Sequence, residues 1–154
     1  MPEFREITPS EFNQSPFKVI GEDWMLVAAG RPGRVNAMTA SWGGLGVMWG
    51  RQVAFVVIRP QRYTKEFVDA NATLSLNFLD PGEYRPVQNY FGSVSGRKED
   101  KIAKTGLTLA FEQDIPYFSQ SRQVLVCRCL FAQPYRPENF LDPTLAGEFY
   151  PEKD

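Results

Sequence analysis

Two kinds of strand signal alternate with short helical ones along this chain. Trp24 to Ala29 is a short apolar run, and Val35 to Ala40 follows it across Gly30-Arg31-Pro32-Gly33, which reads as a turn. Val35 to Ala40 then runs into a glycine cluster, Ser41 to Gly46. Val53 to Ile58 is six apolar residues without alternation, the pattern of a strand covered on both faces, and Arg59-Pro60 ends it. Thr73 to Phe78 alternates, with Leu74, Leu76 and Phe78 on one face and Thr73, Ser75 and Asn77 on the other. Leu107 to Glu112 and Val124 to Phe131 are further strands.

The helical segments are short. Tyr63 to Ala70 fits one, with Thr64 as its cap, Glu66 in its first turn and Tyr63, Phe67 and Ala70 on one side. Asp80-Pro81-Gly82 reads as a turn, and Pro86 to Phe91 as a helix that starts at Pro86. A further helix spans Lys98 to Thr105, capped by Ser95 and closed by Gly106. Residues 1–16 form an irregular arm. Residues 133–154, with four prolines, form an irregular tail. About six short strands with two or three inserted helices exclude regular β-α alternation. The expected fold is mainly β, an antiparallel barrel with helical insertions, in one domain over residues 1–154.

Composition narrows the chemistry. The 154 residues carry a formal net charge of −1, which gives no general attraction to nucleic acid or membrane. No apolar run approaches the roughly 20 residues of a membrane helix, and the polar N-terminus has no signal-peptide core. The chain is therefore expected in the cytoplasm. It has no histidine, which excludes Ser-His-Asp triads, Cys-His pairs and histidine metal sites within these residues. Cys127 and Cys129 lie two apart on a strand, roughly 6.5–7 Å, a poor disulfide distance. They read as reduced and structural, and no metal site is expected.

Candidate chemistry gathers in three places. Arg59, Arg62 and Thr64 lie around a helix start, where unpaired N–H groups, the helix dipole and two guanidiniums attract a phosphate. The alternative is solvent-facing arginines beside a plain cap. Thr39 and Ser41 share a strand face, so a planar ring can approach the backbone there, with Trp42 at its flank; the alternative is that Trp42 packs in a core or dimer contact. Ser95-Gly96-Arg97 and Lys101 form the third cluster, which also fits an ordinary capped helix with surface charges. Gly43-Gly44-Leu45-Gly46 matches neither the dinucleotide fingerprint nor a phosphate loop and reads equally as a bulge or hairpin.

Taken in order, Asn36–Trp42 (NAMTASW), Arg59–Thr64 (RPQRYT), Leu74–Phe78 (LSLNF), Ser93–Lys101 (SVSGRKEDK) and Lys104–Leu107 (KTGL) resemble the flavin reductase-like, FMN-binding split-barrel family, in particular its flavoredoxin-type branch. The resemblance implies a six-stranded antiparallel split barrel with Greek-key-like connections, usually a homodimer with FMN near the subunit interface. Carried over by position, Met38, Thr39, Ala40, Ser41 and Trp42 line the isoalloxazine and ribityl portion. Arg59, Arg62, Tyr63 and Thr64 surround the phosphate. Asn77, Ser95 and Gly96 lie around the ring, with Lys101 close by. Members of this branch continue past a Phe-Tyr-Pro segment into another strand, whereas this sequence stops at Asp154: either the protein is naturally short or the sequence is incomplete, and a missing final strand would leave a barrel edge for the dimer or the tail to cover.

The function so implied is an FMN-binding oxidoreductase. It passes a hydride or electrons from NADH, NADPH or a protein donor through FMN to an acceptor, and no side chain is assigned a catalytic role. The alternatives are a non-catalytic flavin or haem carrier or sensor, and a structural interaction protein with a vestigial pocket.

Overall fold

The computed structural model of this chain describes residues 3–152, which form eight strands and five α-helices. Strands β1 (Met25–Arg31) and β2 (Arg34–Ala40) make a hairpin around Pro32-Gly33, where Gly33 takes φ 89°. Strand β1 pairs on its other edge with β5 (Thr73–Phe78), and β5 pairs with β8 (Gln123–Arg128). The result is an antiparallel sheet in the order β2-β1-β5-β8. Strands β3 (Gly43–Met48) and β4 (Arg51–Val56) form a second hairpin, and β6 (Leu109–Glu112) and β7 (Ile115–Phe118) a third.

The central sheet is buried on both faces. On one side Met25, Val27, Met38, Leu74, Leu76 and Phe78 pack with Phe67 of α2 (Tyr63–Asn71). On the other, Leu26, Ala28 and Ala37 pack with Leu79, Phe118 and Phe91 of α3 (Pro81–Ser93). Helix α1 (Pro16–Val19) contributes Val19 to the first cluster. Helix α4 (Lys101–Thr105) follows the loop after α3, and α5 (Pro143–Phe149) lies in the tail.

Several expectations change. Eight strands replace six because the glycine cluster is strand β3 and Ile115–Phe118 is a strand as well. Gly43 makes β3 possible: a Cβ there would lie 2.1 Å from the Phe55 carbonyl oxygen. The unbroken apolar strand is not covered on both faces. Strand β4 is half-exposed, with Phe55 46% accessible, because only β3 pairs with it. Alternating β5 is the fully covered one; hairpin β6–β7 lies over its polar face, and Ser75 Oγ donates to the Pro116 carbonyl at 2.6 Å. Arg31 belongs to β1, so the turn is confined to Pro32-Gly33. Strand β8 stops at Arg128.

The helices also shift. Asp80-Pro81-Gly82 opens α3: the Asp80 carboxylate accepts from the Gly82 N–H at 2.9 Å, Pro81 takes the first turn, and Pro86 lies inside the helix. Asp100, not Ser95, caps α4, accepting from the Ala103 N–H at 3.0 Å, and Gly106 closes it with φ 71°. Arg62 holds the cap position of α2, and Ala70 is exposed while Thr64 and Phe67 are buried. The arm contains a 3-10 turn at Pro9–Glu11, and the tail holds α5 and a 3-10 turn at Pro137–Asn139. Residues 1–2 and 153–154 of the arm and tail lie outside the described residues. Cys127 and Cys129 are free thiols against the first core cluster, and burial pushes Cys127 up to about 11.

Just before β1, Asp23 is 5% exposed and ion-paired with Lys18 at 3.0 Å and Arg122 at 3.3 Å. Burial pushes its carboxyl up, but the two cations outweigh that and hold it below its ordinary 3.8. A lowered folded pKa stabilises the fold above the unfolded value and loses that stabilisation as pH falls through the folded one. Asp23→Asn is therefore expected to flatten the acid limb of the stability curve below about pH 4, measured by urea unfolding across pH.

Candidate functional site

A cavity of about 220 Å³ opens between the start of α2, the end of α3 and the start of α4. Its lining comprises Asn36, Gln61, Arg62, Tyr63, Thr64, Gly92, Ser93, Val94, Ser95, Gly96 and Lys101. The loop after β4 delivers Arg62 to the α2 cap position and Tyr63 and Thr64 to its first turn. Thr64 is 1% exposed, and its hydroxyl accepts from Asn36 Nδ2 at 2.8 Å, which ties α2 to β2. Gly96 lies against the same asparagine: a Cβ there would fall 2.0 Å from Asn36 Oδ1, so the loop closes over Asn36 only with glycine. Ser95 Oγ accepts from the Arg97 N–H at 3.1 Å and turns that loop. At the rim Arg97 pairs with Glu66 and lies over the Tyr63 ring at 4.5 Å.

Two cations meet at one oxygen. Arg62 Nη2 and Lys101 Nζ each donate to the Phe91 carbonyl at 3.1 Å, and Arg62 also reaches the Gly92 carbonyl at 3.5 Å. Both acceptors lie in the last turn of α3, the negative end of its dipole. Burial, and then the Arg62 charge, bring Lys101 down to about 8; burial and the Arg59 charge lower Arg62. Among the described residues no carboxylate lines the cavity. Two partly desolvated cations without a counter-ion, facing the N-terminus of α2, suit an anion. The cavity is smaller than the roughly 300–1,000 Å³ that encloses a whole drug-sized ligand. Its size suits a single anionic group.

The expected site residues fall into separate groups. Arg62, Tyr63, Thr64, Ser95, Gly96 and Lys101 converge on the cavity. Trp42 and Arg59 form a second group on the surface. Arg59 Nη2 donates to the Phe149 carbonyl at 2.7 Å, and its guanidinium lies 4.9 Å from the Tyr150 ring and 5.6 Å from Trp42. Trp42 meets Phe149 edge-on at 5.4 Å. Met38 and Ala40 point into the first core cluster. Thr39 is half-buried, its hydroxyl donating to the Gln88 carbonyl at 2.5 Å, and Ser41 is half-buried beside it. Asn77 is fully buried within the sheet: its amide donates to the Leu26 carbonyl at 3.1 Å and to Ser75 Oγ at 2.8 Å, and its oxygen accepts from the Phe118 N–H at 2.9 Å. Asn36, Gln61 and Gly92 to Val94 line the cavity but were not singled out from sequence. A polar side chain at an inward strand position was the available signal for Asn36; the others carry none. Among the described residues no cluster of three or more potential metal ligands occurs, and no helix is long and apolar enough to cross a membrane.

Residues 20–136 match the family described as the flavin reductase like domain. No curated protein matches. Among solved structures, flavoredoxin of Desulfovibrio vulgaris (Miyazaki F) is 25% identical with a TM-score of 0.64, covering 70% of this chain and 60% of its own. Flavoredoxin from Methanosarcina acetivorans is 23% identical with a TM-score of 0.66, covering 87% and 68%. Nitrilotriacetate monooxygenase component B from Bacillus cereus is 16% identical with a TM-score of 0.62, covering 88% and 73%, a likeness of fold alone. The chain thus spans about three fifths of the first of these flavoredoxins. The fold shared with these structures is the antiparallel split barrel.

Proposed function

This chain belongs to the flavin reductase-like domain family, and on that premise we propose that it binds FMN and acts as an oxidoreductase. The observation that carries the reading is the carboxylate-free cavity in which Arg62 and Lys101 share the Phe91 carbonyl before the first turn of α2. On this reading Arg62, Lys101, Thr64, Ser95, Gly96 and Tyr63 hold the phosphate end. The segment from Met38 to Trp42 lies toward the flavin ring, whereas Asn77 is sealed in the sheet and Arg59 is turned to the tail. FMN, when bound, would supply the redox chemistry, hydride or electron transfer between NADH, NADPH or a protein donor and an acceptor.

The side chains present have binding and screening roles. Arg62 and Lys101 neutralise the phosphate and fix its position, an effect strengthened by their burial. Asn36 orients the Thr64 hydroxyl and, through its contact with Gly96, holds the loop of residues 95–97 against the cavity.

The same reading includes a homodimer. It is supported by the exposed apolar surface of the β3–β4 hairpin, where Val47 is 70% and Trp49 62% accessible, a patch of the kind that marks association sites. The free thiols agree with a reducing cytoplasmic setting.

The decisive measurement is the visible spectrum after FMN addition and desalting, followed by anaerobic titration with each nicotinamide. Retained flavin that NADH or NADPH bleaches is the expected result. Protein that emerges colourless, with no affinity measurable by flavin fluorescence, is incompatible with the proposal. Bound flavin that neither nicotinamide reduces points to a protein donor or to a carrier.

A further inference from the structure

Resting on the FMN reading, the tail adds a conformational device at the ring end of the site. We propose that residues 131–150 form a strap whose far end, latched by Arg59, closes over Trp42 and limits access to the flavin ring beside it.

The strap is tied to the body near both of its ends. At its start Phe131 meets the Trp49 ring at 6.0 Å. At its far end Arg59 Nη2 donates to the Phe149 carbonyl at 2.7 Å, and the guanidinium lies 4.9 Å from the Tyr150 ring. Trp42 meets both aromatic residues edge-on, Phe149 at 5.4 Å and Tyr150 at 6.1 Å. Trp42 and Trp49 flank β3, so the two ties lie at opposite ends of that strand. Between them the tail packs poorly. Residues 130–139 are exposed, α5 contributes no buried residue, and Leu141 is 99% exposed. Gly147 inside so short a helix lowers its stability further.

Segments with few buried contacts are the ones that open locally. Lifting the far end exchanges a charge-assisted hydrogen bond and a ring contact for water around a half-buried arginine, so the closed and open states lie close in free energy. Arg59 is therefore a positioning residue for the strap. It also begins the turn into α2, its carbonyl accepting from the Arg62 N–H at 3.1 Å, so latch and anion cavity share one loop. On the FMN reading Trp42 flanks the flavin ring. Phe149 and Tyr150 on Trp42 then cover the approach to the ring from that side, excluding water when closed and admitting a donor when open.

The test uses the whole chain, unmodified and as Arg59→Met and Tyr150→Ala, with a thermal melt to confirm folding. Hydrogen exchange over residues 143–150 is measured without flavin. Reduction of bound FMN by dithionite, a small reductant that needs no binding site, is followed by stopped flow with protein in excess. Either change is expected to speed exchange over the strap by about tenfold and flavin reduction by about three- to tenfold, while exchange in β1 and β5 stays as it was. Strap exchange that matches the unmodified chain in both variants overturns the latch and leaves FMN binding standing. Faster exchange with an unaltered reduction rate overturns the cover over the ring, again without touching FMN binding. Failure of the unmodified chain to bind FMN overturns the strap's role and the FMN reading together.

Discussion

Arg62→Glu is expected to weaken FMN binding by at least about 100-fold, measured by fluorescence quenching or by flavin retained on desalting. Arg62 lines the cavity and contributes its guanidinium between the ends of α2 and α3. Losing a charge-assisted bond to phosphate costs about 1.5–3 kcal/mol, and a carboxylate in its place adds repulsion. The fold is expected to persist, because the introduced carboxylate meets Lys101 at the shared carbonyl and the field of Arg59. Arg59→Glu provides the contrast. That guanidinium is engaged with the Phe149 carbonyl and the rings of Trp42 and Tyr150, so its reversal is expected to cost less than about tenfold. Equal losses from the two changes would place the phosphate between both arginines instead of inside the cavity.

Asn77→Ala is expected to cost about 3 kcal/mol of stability, which for a chain of this length lowers Tm by about 6–12 °C. The side chain is fully buried and joins three strands: the Leu26 carbonyl on β1, Ser75 on β5 and the Phe118 N–H of β7. Truncation strands the Phe118 N–H and the Leu26 carbonyl where water does not reach them, and an unmet buried polar group is more expensive than a lost bond at the surface. FMN affinity of the folded protein is expected to stay within about threefold. An unchanged Tm combined with lost FMN would instead make Asn77 a ligand contact, the role its place in LSLNF suggests.

The comparison of β4 with β5 shows why pattern alone misassigned burial. Val53 to Ile58 is apolar throughout, yet its strand is half-exposed because it belongs to a two-stranded hairpin with no further sheet over it. Thr73 to Phe78 alternates as a one-sided strand does, yet every residue after Thr73 is buried because β6–β7 folds over the polar face and satisfies it with hydrogen bonds. Periodicity reports the polarity of a face, and a polar face is buried whenever another element supplies its partners. Pro86 makes the same point for helices. A sequence rule starts a helix at proline, but the Asp80 cap and Pro81 already supply a stronger start one turn earlier, and the helix carries Pro86 inside it.

What the residue order by itself determined was the class of fold, the approximate place of most strands, and two separate candidate clusters, one of Arg59, Arg62 and Thr64 and one of Ser95, Gly96 and Lys101, which only the fold brings to one cavity without Arg59. These follow from local chemistry: alternation, turn residues and cationic side chains beside a helix start. Only the tertiary structure decided that Arg62 and Lys101 share one carbonyl, that Arg59 turns to the tail, and that Asn77 is sealed in the sheet. Each of those depends on elements far apart in sequence, the end of α3 beside the start of α2 and β7 over β5. No local pattern encodes which distant acceptor a side chain will meet.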